Sequence, residues 1–272
     1  MDAETKVYAV IGKPVRHSLS PTMHNALFKK YRLNAVYVAF EVSRENAKEA
    51  VGGIKALGIA GVNVTMPLKE EVARYVELSE AARAIGSVNT IVNSNGKLLG
   101  YTTDGIGARR ALERFTTLEG ANVLILGAGG AGKAIAYELS KVASVVVLNR
   151  TVEKAKALEK FGVKGDALTP ENLEYYLELA DVLINATSVG MNGDRSLVPR
   201  EMLRSGLVVM DIVYKPLMTR LLREAKEKGC TIVDGLWMLV YQGAESFRLW
   251  TGIEADVELM RRVALERLGE SK

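Results

Sequence analysis

Short apolar runs alternate with longer stretches of helical periodicity along almost the whole chain. In its first part, Val7–Ile11, Ala35–Phe40 and Ile59–Thr65 read as strands. Such brief apolar runs, bounded by turn signals, suit strands buried on both faces. Between them, Ser20-Pro21 predicts a helix start with Ser at the N-cap and Pro at N1. Glu45–Leu57 reads as a second helix, and Pro67 opens another. Val88–Asn93 and Lys97–Tyr101, joined through Ser94-Asn95-Gly96, predict a hairpin, because Asn-Gly readily takes the positive φ angles of a tight turn. This part of the chain is therefore α/β with at least one antiparallel pair.

From Asp104 onward the alternation becomes stricter. Asp104-Gly105 caps a helix running to about Phe115, and strands follow at Val123–Leu126, Val145–Leu148, Val182–Asn185, Leu207–Asp211 and Thr231–Val233. Helical patterns lie between them, one starting at Thr151 and one ending near Lys228. Regular strand–helix alternation predicts a parallel sheet covered by helices on both faces. The segment Leu236 to Leu268 reads as helical throughout. The expected fold is α/β in two domains with a boundary near Asp104, and 272 residues suit two domains of roughly 150 each.

The run Val123–Leu126 enters Gly127-Ala128-Gly129-Gly130-Ala131-Gly132-Lys133, and an alanine-rich helix pattern leaves it. Gly127, Gly129 and Gly132 fit G-x-G-x-x-G, with roles in the tight turn, the approach to phosphate and helix–strand packing. The same letters nearly fit a phosphate-hydrolysing loop, but Ala134 lacks the hydroxyl that such a loop gives to Mg²⁺. A glycine turn without a ligand is the plainer alternative. Dinucleotide binding fits best. About 20 residues on, where an acid would read the ribose hydroxyls, stand Asn149-Arg150-Thr151, with Lys154 one helical turn further. Arg150 can fork onto a phosphate and Lys154 adds charge, which predicts NADP rather than NAD. The alternative is an exposed Arg and Lys at a helix start.

Composition narrows the remaining classes. With 48% hydrophobic residues the chain can bury a substantial core, and its net charge of +4 is scattered, with no basic stripe pointing to nucleic acid. Cys230 is the single cysteine and reads as a buried inert thiol, and with two histidines no metal site is expected. The apolar run after Met1–Lys6 stops at Gly12, too short for a signal peptide, and no run suits a membrane span. A cytosolic protein is expected.

Three polar clusters sit at the ends of the first strands: Ser18-Leu19-Ser20-Pro21, Asn63-Val64-Thr65-Met66-Pro67-Leu68-Lys69 and Thr103-Asp104-Gly105. Locally, Ser20 and Asp104 could be N-caps and Lys69 a solvated first-turn lysine. Yet a lysine facing a carboxylate is a workable proton-transfer pair for hydride chemistry at a carbonyl. His24 falls in a helical pattern and reads as packing, whereas His17, beside the serines, stays open.

Taken in order, these motifs resemble shikimate dehydrogenases. They are Ser18-x-Ser20-Pro21, Asn63-Val64-Thr65-x-Pro67-x-Lys69, Gly86-Ser87-x-Asn89-Thr90, Thr103-Asp104-Gly105 and the glycine loop, then Asn149-Arg150-Thr151, Asn185-x-Thr187-Ser188-x-Gly190-Met191, Asp211-x-x-Tyr214-x-Pro216 and Met238-Leu239-x-x-Gln242. The resemblance implies NADP-linked, reversible reduction of 3-dehydroshikimate to shikimate on the way to aromatic amino acids. It implies an N-terminal α/β substrate domain with a mainly parallel mixed sheet (residues 1–104 and 238–272). A Rossmann-type NADP domain (105–237) completes the fold, with the active site in the cleft between them. Lys69 and Asp104 look like the catalytic pair. Ser18, Ser20, Thr65, Asn89, Thr103, Tyr214 and Gln242 are similar to substrate-binding groups. Gly127, Ala128, Gly129, Gly130, Ala131, Asn149, Arg150, Thr151, Lys154, Thr187, Ser188 and Gly235 look like the cofactor site. The implied partner is a small molecule, not nucleic acid or membrane, and the implied assembly a monomer or homodimer. Thr102 departs from the family's usual Asn, and Lys154 stands where Arg is common. The rivals are a quinate dehydrogenase, a methylenetetrahydrofolate dehydrogenase, a non-catalytic NADP sensor and a phosphate-loop hydrolase.

Overall fold

The first apolar runs form a sheet whose order departs from the order of the chain. In the computed structural model, which describes residues 1–269, the elements begin β1 (Lys6–Gly12), α1 (Ser20–Lys30), β2 (Ala35–Glu41), α2 (Ala47–Ala56), β3 (Gly61–Val64) and α3 (Lys69–Val72). They continue with β4 (Glu77–Leu78), α4 (Glu80–Ile85), β5 (Thr90–Ser94) and β6 (Lys97–Tyr101). The strand order is β2-β1-β3-β5-β6-β4. β1 lies parallel to β2 and β3, while β5 runs antiparallel to both β3 and β6. The Asn95-Gly96 turn takes the expected positive φ, 52° and 85°. Ala9, Ile11, Val62 and Val64 meet Val51 and Ile54 of α2 in one core.

The second series is α5 (Asp104–Glu113), β7 (Asn122–Leu126), α6 (Gly130–Leu139), β8 (Ser144–Asn149), α7 (Val152–Lys156), β9 (Lys164–Ala167) and α8 (Pro170–Leu179). It continues through β10 (Val182–Asn185), β11 (Val208–Asp211), α9 (Arg220–Glu227), β12 (Thr231–Val233), α10 (Gly235–Thr251) and α11 (Val257–Leu268). Its sheet, β12-β11-β10-β7-β8-β9, is parallel throughout. Numbered within this unit the order is that of a doubly wound Rossmann sheet. Apolar clusters cover both faces, with Val123, Ile125 and Val147 on one side and Leu124, Leu126 and Leu148 on the other.

The chain divides into two units, one of Met1–Thr103 with the chain from Gln242 onward, the other of Asp104–Tyr241. Residues 270–272, the end of the expected 238–272 segment, lie outside the described residues. Among the described residues, no helix is long and apolar enough to cross a membrane.

Several expectations need correction. Ser20 is not the N-cap of α1. Leu19 holds that position without a side-chain bond, so Ser20 is N1 and Pro21 is N2. Leu19 is drawn into the core, and the Ser18 hydroxyl accepts the Ser20 amide at 3.3 Å instead. Pro67 does not itself open a helix: the Leu68 amide first closes a turn onto the Thr65 carbonyl at 3.0 Å, and α3 starts at Lys69. The terminal helix is two helices, interrupted after Thr251, where Gly252 takes φ 72°. It restarts behind Asp256, whose carboxylate accepts the Leu259 amide at 3.0 Å.

Candidate active site

In the glycine loop, two glycines answer to the protein and two to open space. Gly127 adopts φ 106°, and a Cβ there would stand 2.8 Å from Thr187 Cγ2 and 3.0 Å from the Ala186 carbonyl. A Cβ on Gly132 would collide with the Gly127 carbonyl, so only glycine lets α6 close onto the turn. At Gly129 and Gly130 a Cβ would meet nothing within 4 Å. Gly129 is the N-cap of α6 and supplies no side chain to its first-turn amides. Uncapped N–H groups at a helix N-terminus are a site for an anion.

The end of β8 completes this corner. Asn149 turns inward: its Oδ1 accepts the Ala128 amide at 3.1 Å and its Nδ2 donates to the Thr151 carbonyl at 2.8 Å. It staples the glycine loop to the strand end. Arg150, Thr151 and Lys154 are exposed. Among the described residues, the Arg150 and Lys154 side chains make no hydrogen bond or ion pair with the protein. A cavity of about 520 Å³ is lined by Gly127, Asn149, Arg150, Thr187 and Ser188, with Leu168 and Met202 adding apolar wall.

The loops after β10 and β11 are held by a group that sequence reasoning quoted only within a motif. Asp211 is fully buried. Its carboxylate accepts from Asn185 Nδ2 at 2.9 Å, the Val213 amide at 3.0 Å and the Thr219 hydroxyl at 2.7 Å. Burial pushes its pKa up to about 6 despite these donors. Asn185 in turn accepts from the Thr187 hydroxyl at 2.7 Å and so fixes the Thr187-Ser188 turn. Tyr214 follows on the Asp211 side, and burial raises its phenol pKa. A Cβ on Gly235 would collide with the Ile212 carbonyl, so that glycine has a packing reason of its own.

In the first unit, Asn89, Thr103 and Gln242 come together. Asn89 Oδ1 accepts the Thr103 amide at 2.8 Å, and Asn89 Nδ2 faces Thr103 Oγ1 at 3.0 Å and Gln242 Oε1 at 3.4 Å. All three are buried. Ser18 and Ser20 are joined by the bond at the start of α1, and Thr65 directly follows β3 with its amide on the Ile11 carbonyl at 2.9 Å. Lys69, half-buried, is the first residue of α3; Asp104, buried, is the first of α5 and begins the second unit. His17 is exposed. His24 is packing: fully buried, it stacks on Tyr37 with ring centroids 4.5 Å apart, and neither ring nitrogen has a partner among the described residues. Burial drives its pKa down to about 3. The Cys230 thiol, buried and donating to the Arg204 carbonyl at 3.1 Å, has its pKa raised by burial.

Sequence reasoning gave no role to Tyr37, Asn63, Thr90 or Ser246, which lie buried behind the amide cluster. Asn63 and Thr90 stood inside quoted motifs. Ser246 lies one helical turn beyond Gln242 in α10 and stands in none of those motifs.

A Rossmann-type sheet with an open glycine loop at a helix N-terminus, in one chain with a mixed α/β unit carrying a buried amide–hydroxyl cluster, defines a two-unit α/β protein of the dinucleotide-binding class. Family models agree along the chain. Residues 10–91 match the shikimate dehydrogenase substrate binding domain, residues 109–213 shikimate / quinate 5-dehydrogenase, and residues 235–265 the shikimate 5'-dehydrogenase C-terminal domain. A shikimate dehydrogenase (NADP(+)) of Pyrococcus furiosus is 72% identical, covering 100% of both chains. A crystal structure of a shikimate dehydrogenase in complex with NADP+ superposes with a TM-score of 0.93 at 45% identity, covering 100% of this chain and 98% of that one. The shikimate 5-dehydrogenase of Thermus thermophilus, in complex with NADP(H) and shikimate, gives 0.90 at 39% identity, covering 96% and 99%. The chain belongs to the shikimate dehydrogenase family.

Proposed function

We propose that this protein catalyses the reversible, NADPH-dependent reduction of 3-dehydroshikimate to shikimate in aromatic amino-acid biosynthesis. The observation that carries the reading is the buried Asn89–Thr103–Gln242 cluster in a chain of this family. A small polyhydroxy acid needs several amide and hydroxyl partners of fixed polarity, and this cluster supplies them.

The residues of the second unit fit NADP. Gly129 and Gly130 leave room for a pyrophosphate against the α6 amides, and two cations with no partner among the described residues stand where an acid would repel a 2′-phosphate. In this reading Gly127, Ala128, Gly129, Gly130 and Ala131 cradle the pyrophosphate. Arg150, Thr151 and Lys154 take the adenosine 2′-phosphate, with Asn149 holding the loop. Thr187, Ser188 and Gly235 serve the nicotinamide half. When bound, the cofactor supplies the hydride that reduces the carbonyl carbon.

The carbonyl oxygen must take up a proton as the C–H bond forms. An ammonium suits that task, because it stabilises developing alkoxide charge and carries the proton to be moved. We assign it to Lys69, with the Asp104 carboxylate orienting lysine and substrate. Ser18, Ser20 and Thr65 hold the substrate carboxylate. Asn89, Thr103 and Gln242 hold its hydroxyls, and Tyr214 is a further contact. Residues 1–104 with 238–272 then form the substrate domain, and 105–237 the NADP domain. The same reading makes the protein cytoplasmic, and a monomer or homodimer.

The test follows reduced-nicotinamide absorbance with shikimate plus NADP, then with quinate, then with NAD. Shikimate with NADP should be turned over most efficiently. Absence of turnover with shikimate, in folded protein, overturns the reading, and a preference for quinate would move it to the neighbouring activity.

A further inference from the structure

Behind the amide cluster, a buried hydroxyl pair ties α10 to the strand ends. Ser246 and Thr90 are both completely inaccessible to solvent, and their hydroxyl oxygens stand 2.8 Å apart. Ser246 Oγ also reaches the Gln242 carbonyl at 3.0 Å and accepts from Asn63 Nδ2 at 2.9 Å. Thr90 Oγ1 reaches Asn89 Oδ1 at 3.1 Å. Asn63 is itself oriented, since its Nδ2 donates to the Asn89 carbonyl, which can only accept, at 3.3 Å, and its Oδ1 is left to accept from the Tyr37 phenol at 2.7 Å.

Counting donors gives this arrangement a direction. A backbone N–H can only donate, so the Thr103 amide fixes which end of Asn89 is oxygen. Asn89 Nδ2 then faces Gln242, which must answer with Oε1 and turn its own Nε2 hydrogens elsewhere. The polarity of both amides thus descends from one main-chain group. Their separation rests on how the Gln242 turn of α10 is held against β5. Ser246, four residues beyond Gln242 and on the same helix face, makes that connection from the helix side.

We propose that Ser246, with Thr90, is a positioning residue for the substrate. It holds Gln242 at the distance and polarity that a substrate hydroxyl requires, without touching the substrate. This rests on the shikimate reading given above.

The test is steady-state kinetics of Ser246→Ala, Thr90→Val and Thr90→Ser beside the parent protein, with melting temperatures as a check of folding. Loss of one buried hydrogen bond behind the site should raise KM for shikimate about 5- to 10-fold in Ser246→Ala. KM for NADP should stay within about twofold, since this network lies in the first unit. Thr90→Val, which keeps shape and removes only the hydroxyl, should show the same split, and Thr90→Ser should recover most of that loss. The double variant should cost less than the sum of its parts. An unchanged shikimate KM in both folded single variants overturns the proposal, as does an equal rise in both KM values. Failure of the parent protein to turn over shikimate is a different result, and it overturns the functional reading together with what rests on it.

Discussion

The two units build polar sites from opposite materials. In the second, main-chain atoms present the site: a turn at Gly127, a close approach at Gly132 and uncapped amides at α6, with Asn149 and Asp211 as braces. In the first, side chains do so: amides and hydroxyls from β3, β5 and α10 satisfy one another in the interior. A backbone site is set by where glycine is allowed, and tolerates side-chain change wherever the chain is open. A side-chain site depends on every member being present, because a buried group left without its partner costs about 1–3 kcal/mol.

The sharpest way to break this contrast is Lys69→Ala. Loss of the proton-transfer group should lower turnover about 100- to 10,000-fold while affecting substrate affinity much less. Affinity lost at constant turnover would make Lys69 a binding residue. Arg150→Ala should raise KM for NADP about 10- to 100-fold and leave NAD largely unaffected, because only the 2′-phosphate needs the guanidinium fork. A parallel loss with both cofactors would place Arg150 on a shared part of the dinucleotide.

Glycine substitutions separate ligand cost from fold cost. Gly129→Ala meets no protein atom within 4 Å at an ordinary φ of −76°, so the melting temperature should move by no more than about 1 °C. Its KM for NADP should nevertheless rise about tenfold as the methyl meets phosphate. Gly132→Ala should do the reverse and lower the melting temperature first, because its methyl would meet the Gly127 carbonyl. Equal melting temperatures for the two variants would contradict the division drawn here.

The smallest effect is a pair of opposed pH slopes. Below pH 6.5 unfolded chains take up a proton at His24 that the folded protein refuses until about pH 3, so stability falls as acid is added through that window. Asp211 works the other way. Its folded carboxyl keeps a proton up to about pH 6 that the unfolded chain has lost by 3.8, so stability falls as pH rises between those values. Each slope approaches ~1.4 kcal/mol per pH unit, and between pH 4 and 6, roughly, they oppose. Calorimetric melting should therefore show His24→Phe gaining stability relative to the parent as pH falls from 6 to 4, roughly, and Asp211→Asn losing it. Matching slopes in both variants would remove either residue as the source.

The same contrast decides what could be read from the sequence. Glycine spacing and the Asn149-Arg150-Thr151 string point to the second unit's candidate site, since a backbone feature is encoded by adjacent letters. The hairpin and the parallel alternation are also legible. β9 is not, because Lys164-Gly165-Asp166-Ala167 is a polar edge strand with no apolar run to announce it. The short β4 and α4 are too brief to show a period, and helical patterning on either side hides the break at Gly252. Ser246 was beyond reach for a different reason: it bonds Asn63 across 183 positions of chain, and a serine inside an apolar helix carries no local sign of a distant partner.

Because β5 runs against β3, its first residue, Thr90, lies opposite Asn63, while its last, Ser94, pairs with Lys97 at the far end of the hairpin. Four residues of strand put that turn roughly 14 Å from the polar cluster. Loop-length changes, epitope tags or reporter dyes at Asn95-Gly96 can thus be accommodated with little disturbance of chemistry.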